Sequence, residues 1–283
     1  MWLITGATGH VGSELIRQLA PSNTPLRALT RRPSALQLPP GVEVAGGDFE
    51  DEASLDAALR GVERVFLMSA QAIGSAPAPT HELAMLNACR RAGVRRIVKL
   101  SVLEGGGDDA HSPIVRWIGE AEAALKSSVA EWTLLRPGRF MSNALAWAPM
   151  LQRGNDVFVP FATRPAASID PADVAALAAL ALRDDEHCGR AYELSGPECL
   201  TPLQEVEELS RVLGRPLRVV PLPLSAARDG MLRHGMPEAV VDAILEQTGS
   251  DRGTAVLPTI PELLGRPART FSEWAHAHRG AFA

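Results

Sequence analysis

The chain has 283 residues, 46% hydrophobic and 22% charged, with a formal net charge of −5. That length can bury a full core and hold one large domain with a smaller appendage. Interspersed charges of both signs argue against a nucleic-acid footprint, and no apolar run is long and uninterrupted enough to span a bilayer.

Residues 2–5 form an apolar run that leads into Gly6-Ala7-Thr8-Gly9-His10-Val11-Gly12 and then into an amphipathic segment, 13–19. A strand, three glycines at three-residue spacing and a helix make a cradle for a dinucleotide diphosphate. Gly6 permits the tight turn, Gly9 lets the backbone approach the pyrophosphate, and Gly12 lets the helix pack on the strand. Thr8, His10 and Val11 complete the turn, whose N–H groups face the phosphate charge at the helix start. With 2–5 as an interior strand, no upstream signal or transit peptide is expected, and the expected location is the cytoplasm. Cys89, Cys188 and Cys199 are odd in number and lack metal-ligand spacing, so reduced structural thiols and no metal site are expected.

Strand-like runs at 2–5, 26–30, 42–45, 63–69, 95–101, 131–136 and 190–195 alternate with helical patterns at 12–20, 52–60, 81–92, 115–127 and 172–183. This order predicts a doubly wound parallel α/β sheet of the Rossmann kind, with ligands at the carboxyl ends of the strands. Residues 1–150 are expected to form the nucleotide domain, with the strand near 190–195 returning to the sheet. Residues 151–283 are expected to form a smaller, mostly helical substrate-side subdomain.

The second strand ends in Thr30-Arg31-Arg32, without the acidic residue that would bind the ribose hydroxyls of NAD. Arginines there favour a 2′-phosphate, so NADP(H) is the expected cofactor. After the third strand, Asp48 can accept from an adenine amino group with Phe49 packing nearby, while Asp51 is placed to cap the next helix. Ser69 and Ala70 open the loop after the fourth strand and should frame the reactive ring. The chain's two lysines are Lys99 and Lys126. Lys99 sits inside an interior strand, where an ammonium is costly unless it reaches water, a phosphate or a carboxylate. Snorkelling to the sheet edge, and support of the cofactor or the substrate proton, are its two readings.

A glycine-rich stretch, Gly105-Gly106-Gly107, has the composition of a lid. His111 in the same loop titrates near neutral pH and is a candidate proton donor. After the sixth strand, Pro137 and Gly138 set a turn, and Phe140 and Met141 offer an apolar wall for the ring or substrate, or a turn packed into the core. Asp170-Pro171-Ala172-Asp173 and Thr201-Pro202-Leu203-Gln204 are helix starts rather than carboxylate catalysts. Trp147, Pro149, Met150, Leu151, Phe158 and Phe161 are candidates to line an apolar cavity. The stretch 224–249, with Met231, Leu232, Met236, Val240 and Val241, has the spacing of packed helices.

These motifs resemble those of the NmrA-like atypical short-chain dehydrogenases/reductases, a group with triphenylmethane-reductase-like and quinone-oxidoreductase-like members. The resemblance rests on the Gly6/Gly9/Gly12 turn, Thr30-Arg31-Arg32, Gly47-Asp48, residues 92–101, Leu134-Leu135-Arg136-Pro137-Gly138, residues 169–175 and 192–197, and residues 264–271. It implies a serine, Ser101, that hydrogen-bonds a substrate oxygen. It also implies that the superfamily's usual tyrosine and lysine would stand where this chain has Ile114 and Ile118, and aliphatic side chains transfer no proton. The single tyrosine, Tyr192, has Gly196 rather than a lysine four places on.

Together these readings lead to an expectation of an NADPH-dependent reductase. It would deliver hydride to a small, largely apolar acceptor, a quinone, enone or conjugated aromatic, with Ser101 and His111 as catalytic candidates. The alternatives are a non-catalytic NADP(H) sensor acting through a protein partner, and a sugar epimerase or dehydratase.

Overall fold

A computed structural model of the protein describes residues 1–22, 24–103, 112–128, 130–248 and 253–282. The seven expected strands form as β1 (Trp2–Ile4), β2 (Leu26–Thr30), β3 (Val42–Gly46), β4 (Arg64–Leu67), β5 (Arg96–Leu100), β6 (Glu131–Pro137) and β8 (Arg190–Leu194). They make one sheet in the order β3-β2-β1-β4-β5-β6-β8, and the pairings from β3 through β6 are parallel. The chain runs outward from β1 to β3 and returns beside β1 as β4. The β1/β4 boundary is therefore the switch point at which such sheets bind ligands.

Local signals account for the helices between these strands. Helix α1 (His10–Leu19) starts two residues earlier than expected, because extended Gly9 already serves as its N-cap. It buries Val11, Leu15, Ile16 and Leu19 along one face. Asp51 accepts from the amides of Ala53 and Ser54 and so starts α2 (Glu52–Ala58). Helix α3 (Thr80–Ala92) ends at Gly93, whose φ of +68° suits a residue without a side chain. The Ser112 hydroxyl accepts from Val115 N at 3.4 Å at the start of α4 (Pro113–Lys126). Asp170 accepts from Ala172 N at 2.8 Å and starts α6 (Pro171–Arg183). Leu3, Val65, Leu67, Ile97 and Leu134 of the sheet pack against Leu55, Met85, Leu86 and Leu125 of the helices.

The chain divides into two compact units, Met1–Arg136 with Val174–Glu193, and Pro137–Asp173 with Leu194–Ala283. The chain changes unit at the end of β6, again at the start of α6, and again at the end of β8. The physical reason is the second unit's own core, which draws Met141, Trp147, Leu151, Val157 and Val159 together with Leu209, Phe271, Trp274 and Phe282.

That second unit carries α5 (Ala148–Leu151), β7 (Asp156–Pro160), α7 (Pro202–Leu213), β9 (Arg218–Leu222), α8 (Leu224–Arg233), α9 (Glu238–Thr248), α10 (Thr259–Leu264) and α11 (Phe271–Ala277). Capping boxes, Thr201 with Gln204 and Thr270 with Glu273, start α7 and α11. The parallel pair β7–β9 has no counterpart among the expected strands. Trp147 and Leu151 belong to the core and Phe158 is 42% exposed, so these side chains do not form the expected apolar cavity lining. The helical packing expected over 224–249 is also narrower than its pattern suggests: α8 buries no residue, while α9 buries Val240, Val241 and Ala243. Among the described residues no helix is long and apolar enough to cross a membrane.

Candidate functional site

The carboxyl ends of the first four strands surround a cavity of about 320 Å³ within the first unit. Gly6, Ala7 and Thr8 line it from the β1 turn, and Leu29, Thr30, Arg31, Arg32 and Ala35 from the end of β2. Gly47, Asp48 and Phe49 contribute from β3, Met68 and Ala70 from β4, and His81 from α3.

The glycine turn has the geometry required of a phosphate cradle. Gly6 adopts φ +63°, and a Cβ added there would stand 2.6 Å from Met68 Sδ. A Cβ at Gly12 would stand 2.2 Å from the Gly6 carbonyl oxygen, so helix and strand approach too closely for any side chain. Gly9 N donates to Gly6 O at 2.9 Å and closes the turn. Thr8 and His10 are exposed, while Val11 is buried in the core; of these three, Thr8 lines the cavity. The absence of room for a Cβ at the turn and the arginine pair beside it fit a dinucleotide with an anionic adenosine end.

Arg31 and Arg32 are exposed at the cavity wall. Asp48 Oδ1 accepts from Glu50 N at 3.1 Å, and Asp48 N donates to Ser54 Oγ at 3.0 Å. The carboxylate is thus oriented by its own turn while it lines the cavity. His81 is a lining residue that the sequence reading did not single out. Its ring stacks on Phe49 with centroids 5.4 Å apart and planes 5° from parallel. Gln71 Oε1 accepts from His81 N at 3.0 Å, tying the loop after β4 to the first turn of α3. The sequence signal for His81 was its place near the start of the helix after the β4 loop, which no local rule marks as a ligand position.

Lys99 is 3% exposed, so it does not snorkel to water. Its ammonium donates to Glu82 Oε1 at 2.9 Å and to Leu100 O at 3.2 Å, which corrects the edge-of-sheet reading. The carboxylate comes from α3, and Lys99 does not line the cavity at the strand ends. Ser69 does not line it either, although its neighbour Ala70 does.

The Ser101 hydroxyl donates to Glu122 Oε1 at 2.6 Å. Arg136 completes this buried cluster, its Nε donating to Glu122 Oε1 at 2.9 Å and its Nη2 to Glu122 Oε2. Lys126 Nζ lies 3.6 Å from the same carboxylate. Burial works to raise the Glu122 carboxyl, but hydrogen bonds from Arg136 and Ser101 outweigh it and hold the group below the usual glutamate range. The one proton of Ser101 is therefore directed at a carboxylate that stays ionised. Ile114 and Ile118 are buried on α4. His111 and the glycine run 105–107 lie outside the described residues.

Pro137, Phe140 and Met141 belong to the second unit. Phe140 bridges Ile169 in parallel, and Met141, 2% exposed, packs in that unit's core. Pro137 is buried, and neither it nor Phe140 lines the cavity of the first unit. In the same unit Arg139 Nη2 donates to Glu205 Oε2 at 2.6 Å, and Ser168 Oγ to Glu205 Oε1 at 3.0 Å. Asp173 accepts from Arg269 N at 2.8 Å and pairs with Arg266 at 2.7 Å, so its carboxylate anchors the segment 266–269.

A family model described as NAD(P)H-binding matches residues 6–185. A (4-alkanoyl-5-oxo-2,5-dihydrofuran-3-yl)methyl phosphate reductase of Streptomyces griseus is 43% identical, the match covering 100% of this chain and 99% of that one. An NAD(P)H azoreductase of Xenophilus azovorans is 36% identical over 100% and 99% of the two chains. The crystal structure of an NADPH-dependent quinone oxidoreductase from Escherichia coli, solved with NADPH, superposes with a TM-score of 0.79 at 30% identity, covering 99% of this chain and 100% of that one. The chain belongs to this NAD(P)H-binding family, whose model runs from the glycine turn to just beyond α6.

Proposed function

We propose that this protein is an NADPH-dependent reductase of a small, largely apolar, electron-poor acceptor of the quinone, enone or conjugated aromatic class. The observation that carries this reading is the cavity at the β1/β4 switch point. There a turn in which Gly6 takes a positive φ and Gly12 leaves no room for a side chain stands beside two arginines from the end of β2. The turn holds the pyrophosphate, Arg31 and Arg32 take the 2′-phosphate, and Asp48 and Phe49 hold the adenosine end. The bound reduced nicotinamide supplies the hydride.

The chain's own residues provide no strong acid in the Ser101 cluster, since Ser101 donates to Glu122 and Glu122 is held ionised by Arg136. Water delivers the product's proton, which suits acceptors whose reduced form is a stabilised anion. The names of the relatives, a furanone phosphate reductase, an azoreductase and a quinone oxidoreductase, are consistent with acceptors of this electronic kind. Three free cysteines are compatible with a reducing cytoplasm.

NADPH oxidation under anaerobic conditions against quinones, azo dyes, enones and furanone phosphates tests the reading. Turnover with at least one class and preference for NADPH over NADH are expected. Tight NADPH binding without turnover across the panel would replace the reductase with a nucleotide sensor. His111→Ala is expected to retain turnover within about tenfold, and a larger loss would move the proton source from water to that residue.

A further inference from the structure

Among the described residues that line the nucleotide cavity, His81 alone comes from α3. Its position is held on three sides. The backbone N–H donates to Gln71 Oε1 at 3.0 Å, and Gln71 Nε2 donates to the neighbouring Thr80 Oγ1 at 2.8 Å. The ring lies 5° from parallel to Phe49 at a centroid separation of 5.4 Å. Its Nε2 stands 3.5 Å from Glu50 Oε1. A nearly parallel pair at that separation is laterally offset, so the two rings make an aromatic surface wider than either one alone. Asp48, Arg31 and Arg32 line the same cavity, which combines a carboxylate able to accept from an exocyclic amine with cations suited to phosphate.

We propose that Phe49 and His81 form a two-ring wall against which the adenine of the dinucleotide lies. His81 then sets affinity for the adenosine moiety that NADPH and NADH share, whereas Arg31 and Arg32 respond to the 2′-phosphate alone. This division rests on the nucleotide reading given above. Stacking of a base on aromatic side chains is tolerant of charge and needs a ring face, so any ring at position 81 serves and a ringless side chain does not.

Calorimetric titration of the full-length protein with NADPH and with NADH measures both halves of the division. His81→Ala is expected to weaken the two nucleotides by the same factor, about tenfold, and His81→Phe to stay within about threefold of the original protein. At saturating NADPH, His81→Ala should leave kcat unchanged while KM rises. If His81→Ala fails to fold, His81→Asn, polar and ringless, is expected to show the same loss. The proposal is overturned by a ringless variant that binds both nucleotides within about twofold of the original. It is equally overturned by a loss confined to NADPH, which would make His81 a phosphate ligand, or by a His81→Phe protein as weak as His81→Ala. The double substitution Arg31→Ala/Arg32→Ala separates the underlying reading: it should weaken NADPH alone. Equal weakening of NADH there would overturn the 2′-phosphate assignment while leaving the His81 comparison intact.

Discussion

Each unit of the molecule buries a glutamate with an arginine and a serine; burial raises both carboxyls, yet their net shifts are opposite. In the first unit Glu122 is 2% exposed and held below the usual glutamate range. In the second, Glu205 is 1% exposed, and burial pushes it above that range despite Arg139 and Ser168. Glu205 is the more deeply buried of the two, and the donors differ in number and geometry. Arg136 addresses Glu122 through two nitrogens and Lys126 adds a second cation, whereas Arg139 offers Glu205 one contact. A forked guanidinium matched to both carboxylate oxygens offsets desolvation, and a single contact does not.

The largest expected consequence comes from removing the arginines. Arg136→Met leaves an ionised buried carboxylate and is expected to cost about 3–5 kcal/mol in chemical denaturation. Arg139→Met should cost less, about 1–3 kcal/mol, because a carboxyl already displaced upward takes a proton instead. Equal losses would show that the contact geometry does not separate the clusters. Next in size, Glu122→Gln is expected to lose about 1–3 kcal/mol at neutral pH, against a change within about 1 kcal/mol for Glu205→Gln.

The pH dependence should then diverge in sign. For Glu122, whose folded value is depressed, the stabilisation is present above the unfolded value of about 4.3 and disappears as pH falls through the folded value. For Glu205, whose folded value is raised, the folded state holds the proton more tightly, so stability declines as pH rises from about 4.3 through the folded value. Unfolding curves from acid to neutral pH should show Glu122→Gln flattening the acid-side loss and Glu205→Gln flattening the decline above it. The smallest effect concerns turnover: Ser101→Ala should retain kcat within about tenfold, and a loss of about a thousandfold would return Ser101 to the role of proton donor.

The sheet was readable because parallel strands buried on both faces appear as apolar runs separated by helical patterns, as in β4 and β5. The glycine turn was readable because strand, glycine spacing and helix follow one another along the chain. Strands β7 and β9 were not, since each carries a proline and their pairing joins distant parts of the chain. The candidate site was half visible. Gly6, Thr8, Arg31, Arg32, Asp48, Phe49 and Ala70 line the cavity as their strand-end positions suggested. Lys99 and Ser101 stood out in the sequence, but their carboxylate partners, Glu82 and Glu122, lie on separate helices that no spacing rule connects to them.

The sequence by itself determined what depends on neighbours along the chain: the strand–turn–helix cradle, the helix caps at Asp51, Asp170 and Thr201, and the basic end of β2. Tertiary structure alone decided which charges meet, because β5, α3, α4 and β6 bring together residues separated by up to 21 positions in the Lys99–Glu82 and Ser101–Glu122 pairs. It also decided that the hydroxyl expected to serve a substrate donates instead to a buried carboxylate. Backbone demands are local and leave a mark in spacing, whereas the pairing of buried polar groups is chosen by whatever donor the packed helices bring within reach.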